Sequence, residues 1–312
     1  MGREVAMLND DVDRYISLRH ALGYKLVKAG RHLRAFACFA ADRGETHIRV
    51  SSVLSWLAIV ARTPGARARR LTDLILFARF VHAEDSRHEI PRADVKRISE
   101  KRPVPYIYTA DEITRILEMA GKLRHQRPNP LRRQLYVMLF GLIAATGLRV
   151  SEALALKLDD IRDGGVLHIR ETKFRKSRLV PLHVTVVQAL ETYLEARRQH
   201  AGVCDWLFPS VQHREMFSTT VNYTFRCILR RAGVAPERRQ QPRIHDLRHT
   251  FATRVLEQCG AERGVVARHF VALSTYLGYA DIRNTYWYLE ATPEMMTDIA
   301  AASEMLVGES AA

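Results

Sequence analysis

The chain has 312 residues, 47% of them hydrophobic and 26% charged, which is the balance of a folded globular protein and not of a disordered one. Lys and Arg number 48 against 34 Asp and Glu, a net charge of +14 that is shared between residues 1–96 (about +6) and the remainder (about +8). A charge spread this way excludes a neutral body with a basic tail. It points to a polyanion met along an extended surface, nucleic acid first, with a basic protein lacking any such partner as the plain alternative.

Residues 1–96 read as helices only. Val12, Tyr15, Ile16 and Leu22 form one apolar stripe, and Leu26, Leu33, Phe36, Phe39 and Ala40 form a second. Val53, Leu54, Trp56, Leu57 and Val60 follow Ser51-Ser52, which is expected to cap a third helix. A fourth carries Leu71, Leu74, Ile75, Ala78 and Val81 behind Pro64-Gly65. Four short amphipathic helices predict a small bundle. Arg62, Arg67, Arg69 and Arg70 crowd the start of the fourth. They are either an ordinary solvated face or a grip on phosphates.

Residues 97–108 carry two prolines, a basic bias and no periodicity, the signs of an extended linker and a domain boundary. Thr109 and Glu112 then form a capping-box pattern ahead of Ile113, Ile116, Leu117 and Ala120. Residues 109–312 predict a second domain, mostly helical, with one island of strands. Val166–Arg170 follows the turn signal Asp163-Gly164-Gly165, and Arg178–Leu182 follows a polar tip, which makes a hairpin with a third strand just before the glycines. Helices are expected near 183–200, 218–232, 246–258 and 266–277, with a last one from Pro293 capped by Thr292.

Cys38, Cys204, Cys227 and Cys259 lie far apart without Cys-x-x-Cys spacing, so buried thiols in a reducing compartment are expected. The N-terminus is acidic by Asp10, Asp11 and Asp13, unlike a signal peptide. The most apolar stretch, Leu135 to Leu148, is too short for a bilayer and reads as a buried helix. The expectation is a cytoplasmic protein with no membrane contact.

Three islands bear chemistry. In Thr146-Gly147-Leu148-Arg149-Val150-Ser151-Glu152 an apolar helix ends at glycine and an arginine opens the next helix, where anions are favoured. Arg149 either binds such an anion or pairs with Glu152. The hairpin tip holds Lys173, Arg175, Lys176 and Arg178, a basic loop suited to solvent or to DNA. In His245-Asp246-Leu247-Arg248-His249, His245 and Arg248 are three apart on one helical face and can address one anion. The spacing of His245 and His249 also matches zinc ligands. Arg248 would point its charge at the metal, and neither a general-base Glu nor a third ligand is evident, so no metal is expected.

Together these islands resemble the tyrosine recombinase, or phage integrase, family. The resemblance rests on Thr146 to Glu152, Lys173 with Arg178-Leu179-Val180-Pro181-Leu182, Leu207-Phe208-Pro209-Ser210, His245 to Ala252, Leu277-Gly278 and Thr285-x-x-Tyr288, in order over residues 109–295. It implies a mainly α fold: a four-helix core-binding bundle over 1–96, then a mostly helical catalytic domain with a small three-stranded antiparallel sheet. It implies DNA strand exchange through a covalent 3′-phosphotyrosine, with no cofactor, by a homo-tetramer on two paired sites.

The roles follow by resemblance. Arg149 and Arg248 would hold the scissile phosphate, Lys173 would protonate the 5′ leaving oxygen, His245 would take the nucleophile's proton, and Tyr288 would attack. Tyr286 and Tyr288 face nearly opposite sides of a helix, so only one can serve. The nine-residue step from Tyr279 favours Tyr288, and family placement favours Lys173 over Lys176. Tyr279 stands where the family usually has His or Trp; a phenol still donates a hydrogen bond but not as a cation. Arg67, Arg69, Arg70, Arg175, Lys176 and Arg178 are the candidate DNA contacts. The alternatives are a catalytically impaired DNA-binding regulator and a relaxing topoisomerase with similar chemistry.

Overall fold

The computed structural model describes residues 2–278 apart from 25, 93–103, 125–128, 171–176, 201, 203, 238–240 and 259–262. The chain divides into two compact units, Met1–Pro103 and Val104–Ala312. No helix among the described residues is long and apolar enough to cross a membrane.

The first unit holds helices α1 (Gly2–Ala21), α2 (Val27–Ala41), α3 (Val50–Val60) and α4 (Pro64–His82). Val12, Tyr15, Ile16, Leu33, Phe36, Trp56, Leu57, Leu74 and Phe77 make its core. Leu22 departs from the expected stripe. α1 stops at Ala21 and turns through Gly23 at φ +85°, which leaves Leu22 61% exposed. The cap of α3 differs too. The helix begins at Val50, whose N–H donates 2.7 Å to the Glu89 carboxylate, and the Ser52 hydroxyl donates to Glu45. A carboxylate at a helix N-terminus satisfies an orphan N–H and meets the positive end of the dipole. This one arrives from beyond α4. Thr63 caps α4 by accepting from the Ala66 N–H, with Pro64 at the first helical position. Neutral His88, its pKa lowered by burial, accepts from the Ile48 N–H at 3.2 Å and locks the loop before α3 to the segment after α4.

The second unit opens with α5 (Ala110–Gly121), whose Thr109 and Glu112 close the expected capping box. α6 (Arg132–Thr146) is the core helix, with Leu135, Leu139, Phe140 and Ile143 at most 1% exposed. Its Phe140 ring meets Phe225 edge-on at 5.0 Å. Then come α7 (Val150–Leu154), a 3-10 turn, and strands β1 (Ile161–Arg162), β2 (Val166–Ile169) and β3 (Arg178–Pro181). They form an antiparallel sheet in order β1-β2-β3, with Leu167 opposite Val180 and Ile169 opposite Arg178. Helices α8 (Val184–His200), α9 (Ser218–Arg231), α10 (Ile244–Glu257) and α11 (Arg263–Leu277) complete the described fold. The mainly α architecture with one small sheet is the one expected. The helix expected from Pro293 lies outside the described residues.

The free thiols among the described residues depart from their expected burial: Cys38 is exposed on the outer face of α2, and Cys204 and Cys227 are half-buried. Two hydrogen bonds fasten α10 to the strand-like segment that enters α5. The Tyr108 N–H donates to Thr250 Oγ1 at 2.9 Å, and Arg254 donates to the Tyr108 carbonyl at 2.8 Å.

Candidate active site

Arg149 stands at the N-cap of α7 with extended backbone, two residues after a glycine corner. Gly147 ends α6 at φ +62°, where a Cβ would come within 2.6 Å of the Phe251 ring. Only glycine turns here without strain. From Arg149, Nη1 donates to Glu152 Oε1 at 2.6 Å, and the backbone N–H donates to the same carboxylate at 3.0 Å. The pairing alternative is therefore real, but it does not neutralise Arg149, because Glu152 is shared. Arg178, from β3, donates to both its oxygens, at 3.2 and 2.8 Å. Burial alone would raise the Glu152 pKa. The hydrogen bonds and charge of Arg178, with the Arg149 contacts behind them, instead hold it at about 2. One anion between two guanidiniums leaves the cluster cationic.

Arg248 lies on the inner face of α10, fully buried. Its Nη1 donates to the Gly147 carbonyl at 2.7 Å, and its Nη2 to the Leu277 carbonyl at 2.8 Å. So the corner before Arg149 and the end of α11 are both fastened to Arg248. Gly278 forms a second corner at φ +69°, and its carbonyl takes a long 3.5 Å contact from Arg149 Nη2. Two residues back, the Tyr276 carbonyl accepts from Arg178 Nε at 2.7 Å. Three successive carbonyls, 276, 277 and 278, thus each face a different arginine. The last carbonyls of a helix lack partners within it and carry its negative end, so cations belong there.

His245 sits a turn before His249 on α10, their rings edge to face at 4.8 Å. Part of His245 is open to solvent. Burial of the ring, then the charges of Arg248, Arg243 and Arg149, against an opposing pull from Asp246, bring its pKa down to about 4. His249 falls to about 3 through burial and the charges of His245, Arg243 and Arg248. Both imidazoles are neutral at physiological pH. Asp246 carries the N-terminus of α10, accepting from the Arg243 N–H at 2.7 Å.

The structure therefore brings Arg149 and Arg248 to the end of α11, with His245 near enough to feel both charges. Arg178, expected as a DNA contact at the hairpin tip, is turned inward; its side chain is 11% exposed. The reason is the register, which sets Arg178 opposite Ile169 at the sheet end beside α11. Of the basic entry to α4, Arg69 is exposed and Arg67 half-buried, while Arg70 donates to the Val60 carbonyl at 2.6 Å and ties α4 to α3. Lys173, Arg175, Lys176, Tyr279, Tyr286 and Tyr288 lie outside the described residues. Among the described residues, the group of His, Cys, Asp or Glu side chains near enough to share a metal is His47, Asp85 and His88, in the first unit. Its donors are committed already: Asp85 to Arg87 at 2.8 Å and His88 Nδ1 to Ile48. Sequence reasoning did not see Glu152 as a shared anion. The signal available was a glutamate three residues after an arginine at a helix start.

Residues 107–295 match the model of the Phage integrase family. Among similar proteins is y4rB of Sinorhizobium fredii, named as an integrase/recombinase, 37% identical over 92% of this chain and 94% of its own. The tyrosine recombinase XerD of Rhizobium meliloti is 29% identical over 80% of this chain and 77% of its own. Among solved structures, the Tn1549 transposon integrase in complex with transposon right end DNA superposes with a TM-score of 0.65 at 16% identity, covering 96% of this chain and 99% of that one. A lambda integrase tetramer bound to a Holliday junction gives 0.62 at 19% identity, covering 90% and 76%. At those identities the structures speak for the fold; the family model and the 37% relative carry membership. The chain belongs to the phage integrase family.

Proposed function

We propose that this protein is a site-specific DNA recombinase that cuts and rejoins double-stranded DNA through a covalent 3′-phosphotyrosine. The observation that carries the reading is the meeting of Arg149 and Arg248 at one corner, the second anchored to the carbonyl two residues before the first. Phosphodiester transfer needs its non-bridging oxygens neutralised, and two guanidiniums in a partly buried site do this without reorganising. Arg149 and Arg248 hold the scissile phosphate. A tyrosine, with a pKa of about 10, needs a base to attack at neutral pH. Tyr288 oxygen bonds to phosphorus, its proton passes to neutral His245, the P–O5′ bond breaks, and Lys173 protonates the leaving oxygen. Tyr279 donates a hydrogen bond to a phosphate oxygen. Rejoining reverses each transfer onto a new 5′-hydroxyl, so the bond energy is kept in the phosphotyrosine and neither nucleotide nor metal is consumed.

Residues 1–96 act as the core-binding domain, 97–108 as the linker and 109–312 as the catalytic domain, and each domain carries basic residues for the duplex. The net charge of +14 supports a long phosphate contact, with Arg67, Arg69, Arg70, Arg175 and Lys176 in it. Work on two sites at once calls for a tetramer, the assembly named for the lambda integrase structure.

The test is to incubate the protein with nicked duplexes tiled across the DNA flanking its coding region and to look for a covalent adduct. Wild type should give one and Tyr288→Phe none. An adduct kept by Tyr288→Phe but lost in Tyr286→Phe would move the nucleophile. Tight binding of a tile with no adduct from wild type would replace the enzyme with a DNA-binding regulator.

A further inference from the structure

Arg178 occupies a position that a surface DNA contact would not. Its guanidinium reaches two oxygens of buried Glu152 and, from the third nitrogen, the Tyr276 carbonyl at the end of α11. It also lies directly under the second glycine corner, where a Cβ on Gly278 would come within 2.8 Å of Arg178 Nη1. Each of the three nitrogens thus makes a hydrogen bond to the protein. One planar group joins three elements: α7 through Glu152, β3 through its own backbone, and α11 through Tyr276.

We infer that Arg178 is a positioning residue of strand cleavage, setting Arg149 and the end of α11 against the scissile phosphate without touching DNA itself. The inference rests on the proposed function for its catalytic meaning, and on the geometry alone for its structural one. Two effects follow from losing the guanidinium. The end of α11 loses the donor on Tyr276, so its last turn is held less firmly. Glu152 is then left to Arg149 alone, and a one-to-one pair is neutral where the present trio is cationic. The field at the phosphate falls, and Arg149 is drawn towards the carboxylate. Lysine restores the charge but not the fork, because one ammonium cannot serve both Glu152 oxygens and the Tyr276 carbonyl.

The experiment compares Arg178→Lys and Arg178→Gln with wild type on three readouts. The first is amide hydrogen exchange, which needs no activity. Exchange in the last turn of α11 should rise at least about tenfold in Arg178→Gln, while amides of the first unit keep their rates. Unchanged exchange in α11 overturns the positioning role. The second is binding to an arbitrary duplex of about 30 base pairs across a salt series. Affinity and salt slope should stay at wild-type values; a slope lower by about one makes Arg178 a phosphate contact and overturns the inference. The third is adduct formation at saturating DNA, on the nicked duplex that wild type cleaves. The rate should fall at least about tenfold in Arg178→Gln and less in Arg178→Lys, and full activity in both overturns the catalytic half. If Arg178→Gln does not fold, Arg178→Lys carries all three readouts. A wild type that forms no adduct defeats the proposed function, and the exchange readout still decides whether Arg178 positions α11.

Discussion

Arg248 Nη1 and the Gly147 carbonyl are hydrogen-bonded at 2.7 Å across 101 residues of chain, and both ends of that bond are buried. The bond exists because Gly147 turns through φ +62°, which sends its carbonyl towards α10 and leaves no room for a Cβ beside Phe251. Gly147→Ala combines a left-handed alanine with an overlap against an aromatic ring, a cost of about 2–4 kcal/mol. The melting temperature of the variant should drop by roughly 5–15 °C. Cleavage should fall further than the folded fraction explains, since Arg248 and Arg149 both take their places from this corner. A thermal melt beside a single-turnover cleavage assay measures the two separately, and a variant as stable as wild type would show that the corner can shift without cost.

His245 supplies a pH signature. Its pKa lies at about 4, below the ordinary 6.5, so the neutral form that accepts a proton prevails from about pH 5 upward. A base must be neutral to act. The cleavage rate at subsaturating DNA, which reports the free enzyme, should therefore rise through about pH 4–5 and be level by about pH 6. The sign follows from the lowered value: acid protonates His245 late, so activity is lost only well below the ordinary 6.5. A limb centred near that ordinary value would mean that the imidazole feels neither the burial nor the charge of Arg248 and its neighbours.

Arg149→Ala separates chemistry from affinity. One phosphate contact among many adds little to binding, so the dissociation constant should change by less than about tenfold. The same side chain facing the reacting phosphate is worth on the order of 10²–10³ in rate. Glu152 keeps Arg178 as a partner and is not stranded, so the fold should survive. Filter binding and adduct formation on one DNA, run side by side, decide the point; parallel loss of both would make Arg149 a structural pairing residue.

What could be read from the sequence and what could not divide along a physical line. Thr109 with Glu112, Pro64 at the start of α4, and the glycine ahead of Arg149 are local signals, because a cap or corner is satisfied within three or four residues. The hairpin was legible for the same reason, from Gly164-Gly165 and the alternation on either side. Contacts at long range were not. Glu89 caps α3 from 39 residues away, and Arg178 reaches Glu152 across 26. In sequence Arg178 is one more cation in a basic loop. Only the pairing of β3 with β2, and the end of α11 beside it, turn that cation inward.

Tyr279 stands where the resemblance leads one to expect His or Trp, and Tyr279→His tests what that difference does. The residue follows Gly278, whose carbonyl faces Arg149 and whose neighbour Leu277 is held by Arg248. Histidine there can donate as a cation, which a phenol cannot. The gain should be modest, because the phenol already donates a hydrogen bond. Cleavage by Tyr279→His should equal wild type or exceed it by up to about tenfold, most clearly below about pH 7 where imidazole holds its proton. Tyr279→Phe removes the donor altogether and should cost on the order of 10–10²-fold, within the range for loss of one transition-state hydrogen bond. Adduct rates for the two variants on one nicked duplex measure both effects. A Tyr279→His variant that binds DNA but forms no adduct would show that the phenol does something an imidazole cannot, and Phe at that position would then reveal whether the hydroxyl or the ring is responsible.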